Sequence, residues 1–509
     1  MFVRYYLTKT FLKRMAAVMV TVMLGLPVSA QEEWWAETPT DSTYGIGLRE
    51  VTLVVKDYGL KARKPITVAV IDGGMDTEHP LIAPRLWTNK REKADGKDND
   101  RNGLIDDRHG WNWLSGAAGE PIMRTGTEEY RQWKRLYLKQ QSEGRLNEED
   151  SVLFATMERK VHMQSYLFYA RNLEAIWNRL QVADSLMQIW GGGRQLLVED
   201  LKSLEVEDTT GVMEALGVAA MQALQVDPQL PWNDFIAKQR HQTELAMKRI
   251  STLENDDDAH RKVGNNPSDF SNYSYGSSVL NVSNEDAYHA TMVGGLVLQV
   301  AEITGADERL MVLRAVPDGD EYDRDIVAAI RYAVEQGARV VNMSFGKTYS
   351  PNRQEVDKAL DFAAQHDVLL VVAAGNFGKD KDLIQYYPDE IAVDGKRRRN
   401  ILSVGSADEK GRRASFSNYG VAHVDVLAPG TQLRSYAPGG GWGVSQGTSL
   451  SAPIVSGLAA ALRAYFPKLR AEEVREIICQ SARSDVHSGV RAGLVDAAEA
   501  FRLAALWRK

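Results

Sequence analysis

From about residue 266 to the end, short apolar runs alternate with amphipathic helical segments, and this alternation constrains the fold more than any other feature. The runs RLMVLRAVP, RVVNMSFG, VLLVVAAGN and NILSVGSAD are nearly continuously apolar, as strands buried on both faces are. Between them, DIVAAIRYAVEQGA and RQEVDKALDFAAQHD place apolar residues at helical spacing. The pattern predicts an α/β domain in three layers, with a mainly parallel central sheet covered by helices on both faces.

The remainder of the chain has a different organisation. ITVAVIDGG is one further strand pattern, whereas the stretch from Ile122 to Asp227 contains no proline and repeats apolar residues at helical spacing. We therefore predict a large α-helical insertion that divides the α/β domain. The predicted boundaries are a signal segment at 1–30, the first part of the α/β domain at 31–120, the helical insertion at 121–265 and the rest of the domain at 266–509.

The N-terminus has the layout of a secretory signal. Arg4, Lys9, Lys13 and Arg14 form a basic region, an apolar run follows from Met15 to Leu26, and small residues end at Ala30. An uncleaved anchor is the alternative, but this run is too short to span a bilayer. We expect cleavage after Ala30 and an extracytoplasmic location, secreted or periplasmic, without stable membrane insertion. A formal charge of -7 disfavours nucleic-acid binding.

Four polar residues stand beside these elements. Asp72 follows the apolar run of ITVAVIDGG, so it lies at the carboxyl end of a buried strand, where α/β sheets place ligands. His289 stands at the start of a helical segment, where it could be structural. Ser449 precedes a helix and could be an N-cap or lie where helix amides stabilise an oxyanion. Asn376 follows a buried strand and could be a turn residue or an amide donor.

Each of these residues alone has a structural explanation, but together they occur in the order aspartate, histidine, serine that subtilisin shows. The stretches VAVIDGG, HATMVGG, AAGN and GTSLSAP resemble the four signature stretches of the subtilases, the S8 family of serine peptidases. NMSFG, SFSNYG, DVLAPG and GLVDAAEA are similar to further segments of that family. The resemblance covers about 66–90 and 286–500, and it implies a subtilisin-like fold and a serine endopeptidase acting on proteins or peptides.

By this resemblance Ser449 is the nucleophile, His289 is the general base and then the general acid, and Asp72 orients His289. Asn376 and the backbone amide of Ser449 would form the oxyanion hole. We expect a broad apolar cleft that accepts large apolar side chains on the acyl side. The resemblance assigns five residues to this cleft: Ser344, Phe345, Gly346, Ala374 and Gly375.

The signature stretches depart from the family pattern at a few positions. Gly73 stands where serine or threonine is usual, Ala290 where glycine is usual, and Leu450-Ser451 where methionine and alanine are usual. None of these exchanges removes a proton carrier. We therefore still expect hydrolysis. The exchanges bear on its rate and on how the side chains of the site pack.

A second motif lies in ADGKDNDRNGLIDDRHGWNW, where oxygen-bearing side chains alternate and a glycine stands sixth, as in the opening of an EF-hand calcium loop. His109 takes the twelfth position instead of glutamate, so this is not an ordinary EF-hand. A solvated acidic turn is the alternative, but so many carboxylates repel one another without a cation. We predict a structural calcium site with five candidate ligands: Asp98, Asp100, Asn102, Asp106 and Asp107.

The interval from Asp72 to His289 is far longer than subtilases usually show, which places the acidic loop and the helical insertion between these two motifs. The insertion could cap the cleft, bind a partner or assist folding. The stretch of chain between Ala30 and Ile66 is too short to form a folded inhibitory propeptide. We therefore expect neither maturation by release of a long propeptide nor a domain after the core.

Two other functions compete with an endopeptidase. A catalytically inactive subtilase scaffold could act as a binding protein through the helical insertion, although decayed enzymes usually lose one of the four polar residues named above. An esterase or other acyl hydrolase could use the same three catalytic residues. GTSLSAP does not fit the G-x-S-x-G pattern of such enzymes.

Overall fold

The structure is a computed structural model of the chain. It describes residues 33–40, 44–116, 119–163, 165–204, 210–223, 226–254, 263, 266, 269–484 and 489–507. The predicted signal segment at 1–30 lies outside these residues. No helix of the described part is both long and apolar enough to cross a membrane.

The described residues contain strands, α-helices and short 3-10 helices. The strands are β1 Ile66–Asp72, β2 Gly110–Asn112, β3 Glu308–Arg314, β4 Val340–Met343, β5 Leu369–Ala373, β6 Ile401–Ala407, β7 Val426–Pro429, β8 Leu433–Ala437, β9 Gly441–Ser445 and β10 Gly493–Leu494. The α-helices are α1 Val51–Asp57, α2 Glu128–Glu143, α3 Glu148–Met163, α4 Ser165–Gly191, α5 Thr210–Ala223, α6 Trp232–Glu254, α7 Asn284–Thr304, α8 Asp323–Glu335, α9 Arg353–Gln365, α10 Thr448–Tyr465, α11 Ala471–Gln480 and α12 Ala497–Leu506. The 3-10 helices are Trp34–Ala36, Leu48–Glu50, Ala83–Arg85 and Val198–Ser203.

Eight strands form one sheet in the order β10-β7-β6-β5-β4-β1-β3-β2, and each neighbouring pair is parallel. β1 lies between β3 and β4, so its last residue, Asp72, stands opposite Arg314 at the carboxyl edge of the sheet. β8 and β9 pair separately as an antiparallel hairpin that leads into α10. The predicted parallel sheet is confirmed.

Alternate residues of the strands enter two hydrophobic cores, one on each face of the sheet. Val68 and Val70 of β1 belong to the core to which α7, α10, α11 and α12 contribute, whereas Ala69 and Ile71 belong to the core to which α8 and α9 contribute. Burying both faces removes the central strands from water, which explains why their sequences are apolar without alternation. The predicted three layers are therefore present.

Helices α7 and α10 approach each other and the hairpin closely, because small residues face the contact. A Cβ atom on Gly457 of α10 would lie 2.7 Å from the Cβ of Val300 on α7. A Cβ on Gly295 of α7 would lie 2.4 Å from the hydroxyl of Ser435 in β8. A larger residue at Gly457 would push apart the two helices that carry His289 and Ser449, and one at Gly295 would push α7 away from the hairpin.

The chain divides into two compact units, one within Met1–Met123 and Asp258–Lys509 and the other within Arg124–Asp257. The second unit contains α2 to α6, so the helical pattern predicted from sequence is present there. Its core includes Leu180, Met187, Trp232 and Phe235, all buried, and the indole of Trp232 donates to Asp184 at 2.8 Å.

Candidate active site

Asp72 and His289 meet at the carboxyl edge of the sheet. Asp72 ends β1 and is buried, and both of its carboxylate oxygens contact Nδ1 of His289, at 2.9 and 3.0 Å. The backbone amide of Gly73 donates to the same carboxylate at 2.7 Å. Because a carboxylate only accepts hydrogen bonds, Nδ1 carries the proton and Nε2 of the neutral ring is the basic nitrogen.

His289 is the sixth residue of α7, one turn further into the helix than the sequence suggests, because Ser283 caps the helix. Its side chain remains 47% exposed, so the ring can be reached from solvent. Burial of the ring lowers the pKa of His289, but the charge of Asp72 and its hydrogen bond raise the pKa by more. The net direction is upward, and Asp72 therefore stabilises the protonated ring.

Ser449 is the second residue of α10, and the preceding Gly447 caps this helix with a φ of 146°. A Cβ on Gly447 would lie 3.2 Å from Oγ of Ser449 and 3.4 Å from Nδ2 of Asn376. The serine hydroxyl and the asparagine amide therefore lie close to each other on the same side of Gly447, and a side chain at position 447 would crowd both. A nucleophile and an oxyanion donor that lie close together are one requirement of acyl transfer.

The orientation of Asn376 is fixed by Thr448. Both the backbone amide and the hydroxyl of Thr448 are 2.9 Å from Oδ1 of Asn376. Since a backbone N–H can only donate, the atom that it meets must be the carbonyl oxygen of the side chain. The Nδ2 donor consequently points to the other side, toward Gly447. The hydroxyl of Thr448 also accepts from the backbone amide of Gly375 at 3.1 Å.

Ser344 connects the end of β4 to α10, the helix that carries Ser449. Its hydroxyl donates to the carbonyl oxygen of Ser449 at 2.7 Å and accepts from Nδ2 of Asn342 at 2.9 Å. Oδ1 of Asn342 in turn accepts from the hydroxyl of Ser456, further along α10, at 2.9 Å. Pro453 has no N–H to give to the carbonyl of Ser449, so Ser344 supplies the donor that the helix lacks.

Two further residues support the site, and sequence reasoning did not assign them. Asn418 in SFSNYG is buried, donates to the carbonyl of Ala374 at 2.9 Å and accepts from the amides of Phe377 and Lys379 at 3.1 and 2.9 Å. It thereby holds the loop that carries Asn376. The sequence feature that could have pointed to Asn418 is the similarity of SFSNYG to a segment of the family, but this similarity assigned no role to the asparagine.

Arg314 is the second such residue. It ends β3 beside Asp72, is fully buried, and donates from Nε to the carbonyl of Gly73 at 2.8 Å. Its Nη1 donates to Oδ1 of Asn112 at 3.0 Å and to the carbonyl of Leu114 at 2.6 Å. Burial lowers the pKa of Arg314 to about 10. The sequence feature that could have pointed to Arg314 is an arginine at the end of the apolar run RLMVLR.

The predicted cleft residues lie on two segments that continue adjacent parallel strands. Ser344, Phe345 and Gly346 follow β4, and Ala374 and Gly375 follow β5. Ser344, Ala374 and Gly375 are buried, whereas Phe345 and Gly346 are half-buried. Gly375 has a φ of 98°, a conformation that favours glycine, and a Cβ there would lie 2.5 Å from Nδ2 of Asn418.

The departures from the family pattern fit their surroundings. A Cβ on Gly73 would lie 3.1 Å from the carbonyl oxygen of Val316, which favours glycine at this position. Ala290 and Leu450 are buried in the core. The hydroxyl of Ser451 lies 2.9 Å from the hydroxyl of Ser406 and donates to the carbonyl of Pro429 at 2.9 Å, so its burial leaves no polar atom unpaired.

The acidic loop brings together part of its predicted ligand set. Asp98 and Asp100 lie with Glu92, which the sequence did not suggest, and their nearest carboxylate oxygens are all within 4.8 Å of one another. The guanidinium of Arg91 is 3.0 Å from Asp100 and partly compensates the charge. Glu92 precedes the D-x-D-x-N-G pattern, so the spacing of that motif could not point to it.

The other three predicted ligands make contacts within the protein. Asn102 donates to Asp107 at 2.8 Å, and Asp106 accepts from the backbone amides of Asp95 and Gly96. Asp107 is buried and also accepts from the hydroxyl of Tyr332 at 2.7 Å. Burial raises the pKa of Asp107 to about 6, with these hydrogen bonds acting in the opposite direction.

A parallel α/β sheet that carries aspartate, histidine and serine in this chain order defines a class of serine hydrolases unlike the chymotrypsins and the α/β-hydrolases. The comparison with family models identifies the family within this class. The model described as "Subtilase family" (Peptidase_S8) matches residues 63–496. The chain therefore belongs to the subtilase family and has its α/β fold.

Curated relatives agree with this assignment. Over 38% of its length the chain is 32% identical to "Thermophilic serine proteinase" of Bacillus sp. (strain AK1), and the match spans only 43% of that protein. It is 30% identical to "Subtilisin BL" of Lederbergia lenta, over 42% of this chain and 77% of the relative. It is also 30% identical to "Cell wall-associated protease" of Bacillus subtilis (strain 168), over 39% of this chain and 21% of that protein.

Proposed function

We propose that this chain is a serine endopeptidase that hydrolyses peptide bonds through Asp72, His289 and Ser449 and an acyl-enzyme intermediate. The observation that carries the proposal is the proximity of Oγ of Ser449 and Nδ2 of Asn376, which lie 3.2 and 3.4 Å from the position that a Cβ on Gly447 would take. Membership of the subtilase family and the names of the relatives support it.

In the first step, Oγ of Ser449 attacks the carbonyl carbon of the substrate, and its proton passes to Nε2 of His289. In the described part of the chain, the hydrogen bonds of these two side chains are those from Nδ1 of His289 to Asp72, so Oγ of Ser449 and Nε2 of His289 are bonded neither to each other nor to another residue. Asp72 holds the ring through Nδ1 and favours its protonated form. The protonated ring then gives its proton to the leaving amine, and water hydrolyses the ester by the reverse sequence.

The negative charge that develops on the carbonyl oxygen needs donors that are already in place. Nδ2 of Asn376 is one, because Thr448 holds the amide in the required orientation. The backbone amide of Ser449 is the second, since it belongs to the first turn of α10, whose amides have no partners within the helix. The positive end of the helix dipole adds to their effect.

Covalent labelling of the purified protein with a fluorophosphonate tests the nucleophile. We expect labelling of the wild type and none of the Ser449→Ala variant, with Ser451→Ala as a matched control that retains labelling, because the hydroxyl of Ser451 faces Ser406 and Pro429. No labelling of a folded wild type would contradict the proposal. It would favour an inactive subtilase scaffold that acts as a binding protein.

We also propose that Glu92, Asp98 and Asp100 hold a structural calcium ion. Three clustered carboxylates are the hard oxygen ligands that calcium prefers. The ion would neutralise their mutual repulsion and thereby stabilise the loop. Asn102, Asp106 and Asp107 would act as supporting residues around this cluster.

The calcium proposal predicts that chelation lowers the melting temperature of the Ser449→Ala protein, a background that prevents self-digestion. A ligand present at 100 times its Kd stabilises a protein by about 2.7 kcal/mol. Asp100→Asn should abolish the effect of calcium, whereas Asp57→Asn, an exposed aspartate on α1, should retain it. A chelator-insensitive melting temperature, with no calcium found by metal analysis, would contradict the proposal.

The site of action is proposed to be extracytoplasmic, either secreted or periplasmic, with protein or peptide substrates. The basic and apolar segments at 1–30 support this location, as does the similarity to a cell wall-associated protease. Fractionation of expressing cells, with N-terminal sequencing of the mature chain, tests it. A cytoplasmic chain that retains residues 1–30 would contradict it.

A further inference from the structure

The residue on the acyl side of the scissile bond must place its side chain between two defined segments. Its carbonyl group has to meet Oγ of Ser449 and Nδ2 of Asn376 at once, which positions the residue at the carboxyl edge of β4 and β5. The segments 344–346 and 374–376 continue these adjacent strands beyond the sheet. The crevice between the two segments is the space available to that side chain.

The ring of Tyr386 lies beside one glycine of each segment. A Cβ on Gly346 would lie 2.6 Å from Cε1 of Tyr386 and 2.8 Å from its Cζ. A Cβ on Gly375 would lie 2.9 Å from Cζ and 3.0 Å from the hydroxyl oxygen. The same end of one ring thus fills the space beside both glycines, one on each segment. Because both cleft segments lack side chains here, the ring can reach further into the crevice than it otherwise could.

Contacts on several sides hold the ring in place. Tyr386 is only 6% exposed. The ammonium of Lys381 lies 5.4 Å from the ring centroid and is itself paired with Glu390 at 2.8 Å, and both charged groups are buried. Phe377, which is exposed beside Asn376, meets the ring edge-on at a centroid distance of 6.0 Å. Burial raises the pKa of the Tyr386 hydroxyl, so this hydroxyl stays protonated.

We propose that Tyr386 is a specificity-determining residue that closes the crevice and restricts the acyl-side residue to a small side chain, such as alanine, glycine or serine. This inference rests on the proposed endopeptidase function. It departs from the broad apolar cleft expected from sequence, because the sequence did not show that a tyrosine beyond the two segments returns to fill the space between them.

The test uses the purified full-length chain and two kinds of probe. A small fluorophosphonate reports the reactivity of Ser449 without entering the crevice. Two peptidyl diphenyl phosphonates, identical except for an alanine or a phenylalanine side chain next to the phosphorus, report the crevice. In both, Oγ of Ser449 forms the bond to phosphorus and phenoxide leaves. The inactivation rates of the two peptidyl probes give a selectivity ratio that does not depend on overall activity.

We expect the wild type to react with the alanine probe about tenfold faster than with the phenylalanine probe, or more. Tyr386→Ala should reduce this ratio by about tenfold, whereas Tyr386→Phe, which keeps the ring, should preserve it. Tyr386→Leu is the second variant if Tyr386→Ala does not fold, as judged by its melting curve.

Three results would overturn the inference, and they are distinguishable. A wild type that prefers the phenylalanine probe would show an open crevice. An unchanged ratio in a folded Tyr386→Ala protein that the fluorophosphonate still labels would show that another residue sets the preference. Failure of the fluorophosphonate to label the folded wild type would instead remove the proposed function on which the inference rests.

Discussion

The hydroxyl of Ser344 donates a 2.7 Å hydrogen bond to the carbonyl oxygen of Ser449, the one oxygen that Pro453 deprives of its helical donor. This contact joins the segment after β4 to the first turn of α10, which carries the proposed nucleophile. The position of Ser449 therefore depends on a residue that is distant in sequence and takes no part in proton transfer.

Ser344→Ala should leave the carbonyl oxygen of Ser449 without a donor and loosen the nucleophile. A buried acceptor that loses its partner destabilises a protein by about 1–3 kcal/mol. We expect a comparable loss of stability and about tenfold slower fluorophosphonate labelling, measured by urea unfolding and labelling kinetics. Ser350→Ala is the matched control: the hydroxyl of Ser350 is buried and makes no hydrogen bond in the described residues, so its removal should change neither quantity.

Asp72→Asn should change both the rate and the pH profile of labelling. Only the neutral ring of His289 can accept a proton, so the rate should rise with pH through the pKa of His289. Asp72 raises that pKa, and its removal leaves the lowering effect of burial, so the midpoint should move to lower pH. The maximal rate should fall by about 10⁴-fold, because asparagine favours the wrong tautomer.

Glu285→Gln provides the control for this experiment. Glu285 is exposed and lies one turn before His289 on α7. Glu285→Gln should leave the midpoint of the pH–rate profile unchanged. A shift as large as that of Asp72→Asn would show that the pKa of His289 is set by the general negative charge of the region and not by the direct contact with Asp72.

Asn376→Ala should lower kcat by about 100- to 1,000-fold with little change in KM, since an oxyanion donor acts mainly in the transition state. Steady-state kinetics on a peptide substrate measure this. Asn376→Asp keeps an oxygen that can accept from Thr448 but loses the Nδ2 donor. It should be as impaired as Asn376→Ala, and near-normal turnover of the aspartate variant would assign Asn376 a structural role.

Glu321→Gln should raise stability at alkaline pH. Glu321 is buried, and burial raises its pKa to about 7, with Lys347 acting in the opposite direction. The folded protein holds this proton more tightly than the unfolded chain does. The contribution of Glu321 to the free energy of unfolding is therefore fully present below the usual glutamate pKa and is lost as pH rises through about 7. Each unit of the shift corresponds to about 1.4 kcal/mol.

Urea unfolding of the Ser449→Ala protein at about pH 4, below the usual glutamate pKa, and at about pH 8 measures the effect of Glu321. The glutamine variant should match its parent at the lower pH and exceed it at the higher pH. Glu78→Gln, on an exposed glutamate, should match the parent at both values. A glutamine variant that is less stable at pH 8 would show that ionised Glu321 is a net stabilising partner of Lys347.

The strands around the site were predictable because parallel strands buried on both faces must be apolar along their whole length. Asp72 and Asn376 were predictable for a related reason: a polar residue directly after such a strand lies at the carboxyl edge of the sheet. Local sequence also places Ser449 at a helix N-terminus. His289 was placed less well, since Ser283 begins its helix earlier than the apolar pattern indicates.

Two of the residues that sequence reasoning missed act across long intervals of chain. Thr448 fixes the amide of Asn376, and Asn418 supports the loop of Asn376. Glu92 is close in sequence to Asp98 and Asp100 but lies outside their motif. A hydrogen bond between distant residues leaves no periodicity or spacing in the sequence, so a single sequence cannot reveal it.

The sequence by itself determined the layered fold and the helical character of the insertion, because burial and strand ends impose local patterns. The candidate catalytic residues were identified from the sequence through the resemblance of their motifs to those of the subtilases. Only the tertiary structure decided how Asn376 is oriented, which acidic side chains cluster, and that the ring of Tyr386 packs beside both Gly346 and Gly375. Those outcomes depend on which distant segments share a few ångströms of space, and that is fixed only when the whole chain packs.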